Sequence, residues 1–357
     1  VANLWKPLVE DYGIHLNFAW RTFRWDSEAN AKAHVHCVII GFSNYSTDIK
    51  KRIFDGDVIY HADHINPYLV DASDILIGSR SKPLCDVPEM RSGGKPVEGG
   101  FLIFTEEEKI EFLKLEPSAE SYFRPFMGSD DYINSRPRWC LWLIGASPKV
   151  LRQMPKVLER IESVRTFRLA SVKAATREMA NQPSRFMEIK QPSSDYIMIP
   201  ATSSEKRKYI PMGFLSKDVI ASNAASFVPD ATLYHLGVLT SFVHMSWMRV
   251  VAGRLKSDYR YSVNIVYNNF PWPIPTDAQK AKIEKTAQAI LDARNLYPDC
   301  SLADLYDEVT MPTELRRAHQ ENDRAVMEAY RFNWKSMTEA DIVAKLFKLY
   351  EKMTKSS

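Results

Sequence analysis

The chain has 357 residues, enough for two or three domains. Hydrophobic residues make up 45% and charged residues 25%, an ordinary globular balance that excludes a disordered or low-complexity class. Forty-seven basic against 44 acidic side chains leave a formal charge of +3, so any argument for a nucleic-acid partner must come from the distribution of charge, not its total. Cys37, Cys85, Cys140 and Cys300 stand far apart with no C-x-x-C pair. Cys37 and Cys140 lie in apolar runs, the pattern of buried, reduced thiols in a cytoplasmic protein. No run approaches the roughly 18 apolar residues of a membrane span. The opening residues lack the basic start and apolar core of a signal peptide.

In chain order, residues 15–20 and 33–42 read as two strands of a hairpin, joined by the polar loop Asp26-Ser27-Glu28-Ala29-Asn30. A lone hairpin is marginal in water, so these strands need a sheet to join. Chain preceding Val1 is expected to supply it, and the sequence reads as a fragment. Residues 43–100 read as loop-rich. Thr105 then caps a helix with Glu108 at its third position and Ile110, Phe112 and Leu113 as its apolar face. Residues 138–144 read as a short buried strand. Ser147-Pro148 opens a long helical region in which Leu151, Met154, Leu158, Ile161 and Val164 recur at helical spacing. Strands and turns follow at 196–200 and 208–214, and a helix is expected over 236–255 with a basic end at Arg249, Arg254 and Lys256.

The stretch YSVNIVYNNFPWPIP, residues 261–275, fits neither a strand nor a linker. Pro271, Pro273 and Pro275 cannot donate ladder hydrogen bonds, and a plain linker would not carry Phe270 and Trp272. The prolines fix an extended path and the aromatics pin it to the preceding domain. Beyond it, Thr276 and Gln279 form a capping box for a helix with Ile283, Ala287, Ile290 and Leu291 on one face. Further helices are expected across 301–309 and 311–332. Thr338 caps a last helix carrying Ile342, Leu346, Leu349 and Tyr350. The fold class is therefore α+β: a mixed α/β body followed by a small all-α C-terminal domain.

Several motifs occur in order: HLNFAWRTFRWDSEANAKAHVHCVIIGFS, HINPYLVDASD, SYFRPFMGSDDYINSRPRWCLWL, SSEKRKYIPMGF and GRLKSDYRYSVNIVYNNFPWP, followed by the helical tail. Together they closely resemble the C-terminal half of MmeI-like enzymes, with YSVNIVYNNFPWP the most specific element. Such enzymes are fused restriction–modification proteins: a nuclease, an adenine-N6 DNA methyltransferase, a target recognition domain and a helical C-terminal domain. The resemblance implies that residues 1–45 are terminal strands of the methyltransferase, 46–265 the target recognition domain and 266–357 the helical domain. It implies double-stranded DNA as partner, together with the N-terminal methyltransferase, and for the full-length protein a nuclease, of the same polypeptide. S-adenosylmethionine would serve the full-length protein, with no cofactor held in this piece.

No catalytic residue is assigned. The sequence has no glycine-rich cofactor loop and no Asn-Pro-Pro-Tyr motif. Ile65-Asn66-Pro67-Tyr68 lacks one proline and follows the hairpin that the catalytic motif should precede. Glu188-Ile189-Lys190 has a nuclease-like E-x-K pattern, but Pro229-Asp230 comes after it, not before. No metal site is expected either: His34 and His36 share a strand face, His61, His64 and Cys85 are loosely grouped, and no set has zinc-finger spacing.

DNA reading needs cations on phosphates and paired donors or acceptors on base edges. From Lys149 to Lys190 there are ten basic and four acidic residues, the strongest local bias in the chain. Lys149, Arg152, Lys156, Arg165, Arg168, Lys173 and Arg177 are therefore phosphate-contact candidates, against the alternative of a solvated helix face. Lys206, Arg207 and Lys208 in a polar turn, and Arg254, Lys256 and Arg260 beyond the 236–255 helix, are further candidates. For base reading the candidates are Arg185, Glu188, Lys190 and Gln191, between Pro183 and Pro192, with Arg249 on the helix. Glu188 could accept from a cytosine amino group and Lys190 donate to guanine; the alternative is a surface ion pair. Phe23 or Trp25 could stack a flipped base, against a role in core packing. Two other classes stay open: a stand-alone α/β hydrolytic enzyme or metal nuclease, for which no Gly-x-Ser-x-Gly elbow or acidic metal cluster speaks, and a protein-interaction module.

Overall fold

The N-terminal hairpin is the seed of a larger sheet. In the computed structural model, which describes residues 1–26 and 34–355, β1 (His15–Asp26) pairs antiparallel with β2 (His34–Ser43). Residues 27–30 of the expected polar loop lie outside the described residues, as does the side chain of His34. β3 (Lys51–Asp55) runs parallel to β1, and β4 (Val58–Ala62) returns antiparallel to β3, giving the order β2-β1-β3-β4. The loop-rich reading of 43–100 missed this last pair. Its two-residue turn is Gly56-Asp57, with Gly56 at φ 58°, and Gly-Asp between two apolar runs is a dipeptide that marks a tight hairpin.

Strand alternation divides the sheet into two faces. Leu16, Ala19, Ile53 and Ala62 pack with Ile65, Leu69 and Trp5 of the helix Ala2–Glu10. On the opposite face Trp20 pairs with Ile39 and Phe54, and Phe54 with Ile59. Trp20 stacks on Phe54 at 4.2 Å, yet Trp20, Ile39 and Ile59 all remain exposed.

The middle of the chain builds two more four-stranded sheets. The first has the order Ile220–Ala221, Phe123–Met127, Arg138–Leu141, Ile103–Phe104. Helix Glu106–Leu115, capped by Thr105 and Glu108 as expected, and helix Pro155–Leu169 pack on it. Phe112 enters that core, whereas Ile110 is exposed. The long helix buries Met154, Val157 and Val164, with Ile161 packed beside them; Leu158 turns outward. The second sheet has the order Gly213–Leu215, Tyr196–Pro200, Ala225–Pro229, Arg91–Ser92. Cys140 is fully buried, while Cys37 is only half-buried.

The helix expected over 236–255 is two helices, Leu233–Leu239 and Phe242–Val251. Thr240 donates its hydroxyl to the Leu236 carbonyl, and Ser241 restarts the helix by accepting from the His244 amide. Hydroxyl side chains compete with the ladder in this way and break helices locally. The segment beyond Ala252 is a hairpin, Gly253–Leu255 with Asp258–Arg260, which joins Thr202–Ser203 in a small three-stranded sheet.

The C-terminal helices are Asp277–Asn295, Leu302–Leu305, Thr313–Ala329 and Glu339–Lys355. The Thr276–Gln279 capping box forms. These helices share one core with the central region: Ile283, Leu315, Leu346 and Phe347 cluster with Ile199, Trp247 and Phe270. The proline-aromatic stretch lies inside that core. Tyr267, Phe270 and Trp272 are buried, and Trp247 donates its indole N–H to the Val266 carbonyl at 3.0 Å. Tyr330 of the helical region donates to the Pro271 carbonyl at 2.7 Å, and Tyr234 of the central region to that of Pro273. The stretch is thus pinned from both sides, beyond the one side expected.

Candidate nucleic-acid interface

The charge-biased 149–190 segment loses much of its free charge on folding. Lys156 pairs with Glu159, and Arg165 lies 3.8 Å from Glu162. Arg168 is a correction to the phosphate-contact expectation. Its side chain is fully buried and donates to the backbone carbonyls of Val97, Met179, Gln182, Pro96 and Arg185. Burial pushes the guanidinium pKa down, with nearby Glu98 opposing. The signal was available: Val157, Ile161, Val164 and Arg168 form one helical stripe. Arg177 is exposed but donates to the carbonyls of Ser171 and Val172. Lys149, Arg152 and Lys173 are exposed and carry no side-chain partner among the described residues.

Two basic groups far apart in sequence meet in space. The small sheet Thr202–Ser203, Asp258–Arg260, Gly253–Leu255 places the turn carrying Lys206, Arg207 and Lys208 beside the hairpin carrying Arg254, Lys256 and Arg260. Arg254 bridges the two: it lies over the Tyr259 ring at 4.0 Å and pairs with Glu205 at 3.2 Å. Lys256 occupies the hairpin tip at φ 56°. Lys206, Lys256 and Arg260 are exposed without a side-chain partner among the described residues. Arg207 is half-buried, and that burial pushes its pKa down, opposed by Asp258 and Asp307. The basic end expected for the 236–255 helix is therefore a basic β-hairpin beside a basic turn. Arg249 does not point freely: it pairs with Glu339 at 2.8 Å and donates to the Lys208 carbonyl.

The segment around Glu188 is irregular, held by a single backbone bridge to Lys95 and by neighbouring side chains. Glu188 pairs with Lys95 at 2.8 Å and with Lys190 at 3.0 Å. These two ammonium groups, Lys95 first, hold its carboxyl below the usual range. Gln191 is a second correction. Its amide donates to the Lys217 and Val219 carbonyls and accepts from the Ala221 amide, so it secures this segment and is not free for a base. Arg185 is exposed, and among the described residues its side chain bonds only to Gln182. Lys95 was not singled out from the sequence, because it lies 93 positions from Glu188.

At the far end of β1, Phe23 is half-buried and Trp25 is 58% exposed, their rings 6.2 Å apart. Trp25 is therefore not a core residue. A cleft of about 490 Å³ separates this sheet from the helical region, lined among others by Arg21, Tyr60, Arg249, Arg254 and Glu339.

The tempting Ile65-Asn66-Pro67-Tyr68 segment is a structural turn. Asn66 is buried; its carbonyl oxygen accepts from the Tyr68 and Val70 amides and its amide donates to Ser73. The buried Tyr68 phenol oxygen accepts from the Ile77 amide at 2.9 Å, and burial pushes its pKa up to about 12. No side chain there is free to meet a base or a cofactor, so the residues present do not fit S-adenosylmethionine and no methyl-transfer step is derived from them.

Comparison with known proteins agrees along the whole chain. The MmeI target recognition domain matches residues 71–274, the MmeI C-terminal domain 274–356 and the MmeI DNA-methyltransferase domain 1–55. DNA methyltransferase A of Bacillus subtilis (strain 168) is 39% identical over 354 residues, covering 99% of this chain and 40% of the relative. The solved structure of the Type IIL restriction–modification enzyme MmeI in complex with DNA superposes with a TM-score of 0.92 at 48% identity, covering 99% of this chain and 48% of that one. The chain thus spans less than half the length of either relative. With its recognition region and both flanks matched, the chain belongs to the MmeI family of restriction–modification enzymes.

Proposed function

We propose that this chain is the DNA-sequence recognition portion of a fused type II restriction–modification enzyme, acting in the cytoplasm to position a duplex for adenine-N6 methylation. The observation that carries this reading is the agreement of fold over 99% of the chain with an enzyme solved in complex with DNA. The division at residues 45 and 265 into methyltransferase strands, recognition domain and helical domain belongs to the same proposal. So does S-adenosylmethionine as the methyl donor of the full-length protein, bound outside this chain.

Lys149, Arg152, Lys173, Lys206, Lys208, Lys256 and Arg260 neutralise phosphates, with Lys156, Arg165, Arg177, Arg207 and Arg254 joining only if they exchange their present partners. Glu188 and Lys190, flanked by Arg185, read a base pair by accepting and donating. Trp25, backed by Phe23, stacks the flipped target base. The exposed apolar face of the sheet β1–β4, which joins the strands before residue 45 to the first two beyond it, is where methyltransferase elements outside this chain pack.

Salt titration of binding tests the reading. The full-length protein is measured by fluorescence anisotropy on a duplex selected from a random pool and on a scrambled duplex. The expected result is a steep fall of log K with log[salt] on both, with slope about −0.9 per phosphate contacted, and tighter binding of the selected duplex. Salt-independent binding, or no enrichment of any sequence, contradicts it.

A further inference from the structure

We propose that Lys95 is a specificity-determining residue of the Glu188–Lys190 base-reading element, fixing the carboxylate of Glu188 in the position from which it accepts a base amino group. This deepens the function proposed above and rests on it.

The backbone argues first. Lys95 and Glu188 exchange two amide–carbonyl hydrogen bonds, both 3.0 Å, as an isolated antiparallel bridge. The approach is possible only because Gly93 and Gly94 precede it. A Cβ on Gly93 would sit 2.2 Å from the Ser222 carbonyl oxygen, and one on Gly94 2.7 Å from that of Glu188. Neither position tolerates a side chain against backbone. Gly94 also donates to the Ala221 carbonyl at 3.0 Å and accepts from the Asn223 amide at 2.9 Å. The Ser-Gly-Gly-Lys segment is thus threaded between two elements, and the threading delivers Lys95 to Glu188.

The side chains complete the arrangement. Lys95 Nζ lies 2.8 Å from Oε1 of Glu188 and Lys190 Nζ 3.0 Å from Oε2. Each carboxylate oxygen has about two acceptor sites, so one remains on each for a base amino hydrogen. Each ammonium has three donors and uses one here. The carboxylate is clamped between two cations, stays ionised, and is presented at an exposed surface where Lys95 itself is 51% accessible. A clamp of this kind removes rotamer freedom before DNA arrives, which is the requirement for discriminating base edges. The alternative role for an exposed lysine, a phosphate contact, would weaken binding to every sequence alike.

The experiment compares base preference at every position of the site in the full-length protein, by selection from randomised duplexes, for wild type, Glu188→Ala, Lys95→Met and Lys95→Arg. The expected result is that Glu188→Ala changes preference at one base pair. Lys95→Met then relaxes preference at that same pair by about tenfold, and Lys95→Arg retains it. If Glu188→Ala shifts preference but Lys95→Met leaves it intact, or weakens all sequences equally, the role of Lys95 is overturned while the reading of Glu188 stands. If Glu188→Ala leaves preference unchanged, the base-reading function fails and the inference falls with it. Circular dichroism and the melting midpoint of each variant show that the fold is retained; Lys95→Arg keeps the charge and reports on any variant that is destabilised.

Discussion

Replacing Arg168 by Met removes a guanidinium whose three nitrogens donate to five backbone carbonyls at 2.7–3.2 Å. A hydrogen bond from a charged group is worth about 1.5–3 kcal/mol net. A plain sum over five would overshoot, because dehydrating a guanidinium with no bonded carboxylate opposes it and the Met stem keeps part of the packing. A loss of about 3–5 kcal/mol is the expected balance, the size seen when one partner of a buried charged network is removed. For a cooperative unit of 150–250 residues this lowers the melting midpoint by roughly 10 °C. Arg168→Lys recovers less than half of that, since one ammonium cannot span carbonyls arrayed around a planar fork. Thermal unfolding by circular dichroism reads both variants, and a salt titration of DNA binding is run beside it. An unchanged melting midpoint together with a salt slope flatter by about 0.9 would mean that Arg168 meets a phosphate, and the assignment of this side chain to the interior would be wrong.

Three other outcomes are expected. The triple variant Lys206→Ala, Lys256→Ala, Arg260→Ala flattens the salt slope by about 2–3 with sequence preference intact, measured by anisotropy on selected and scrambled duplexes. Lys256→Gly flattens it by about 0.9 and raises stability by up to about 1 kcal/mol, because glycine adopts the positive φ of the hairpin tip without strain; the melting midpoint reports it. Asp323 accepts from Tyr209 and from the Phe242 amide, and burial raises its pKa from 3.8 to about 6, with Lys208 and Arg249 nearby opposing. The folded state therefore holds this proton more tightly than the unfolded state. Its contribution to stability is full below about pH 4, falls as pH rises to about 6 and is flat beyond, an amplitude of about 2–3 kcal/mol. Unfolding midpoints across pH 4–8 should show that slope diminished in Asp323→Asn and stability near pH 7.5 no lower by more than about 1 kcal/mol.

Local rules carried the sequence reading where local physics decides. Capping boxes at Thr105 and Thr276 form as expected, since a hydroxyl three residues before a carboxylate or amide satisfies its helix end without help from elsewhere. The hairpin β1–β2 follows from its apolar alternation. The break at Thr240 and Ser241 was not read, because an apolar stripe continues across it and only hydroxyl bonds to backbone interrupt the helix. The candidate site was legible by residue type and illegible by partner. Glu188 and Lys190 stand two apart in sequence, but Lys95 reaches them only through a tertiary bridge. The two basic groups at 206–208 and 254–260 looked independent and are joined by strand pairing. Arg168 and Gln191 show the reverse: polar side chains suited to DNA that backbone carbonyls claim first.

The same contrast shows in YSVNIVYNNFPWP, the most specific element of the resemblance, whose Tyr267, Asn268, Asn269, Phe270 and Trp272 are buried. Residues Val263–Tyr267 form a π-helical turn, with the Asn268 amide bonded to the Val263 carbonyl at 2.9 Å. Such a turn displaces carbonyls from their usual partners. The Asn269 amide takes up those of Asn264 and Ile265 together with Gly78, and Asn268 takes up that of Arg80. Tyr267 bonds the Pro88 carbonyl at 2.6 Å. No other side chains of that size supply amide donors and a phenol at those positions, so backbone satisfaction dictates the sequence there residue by residue. The segment proposed to read bases carries no such demand: Glu188 stands on a bridge made by backbone atoms. A scaffold fixed by its buried hydrogen bonds, bearing side chains whose identity the fold leaves open, is the arrangement in which base preference can change without disturbing the joint between recognition region and helices.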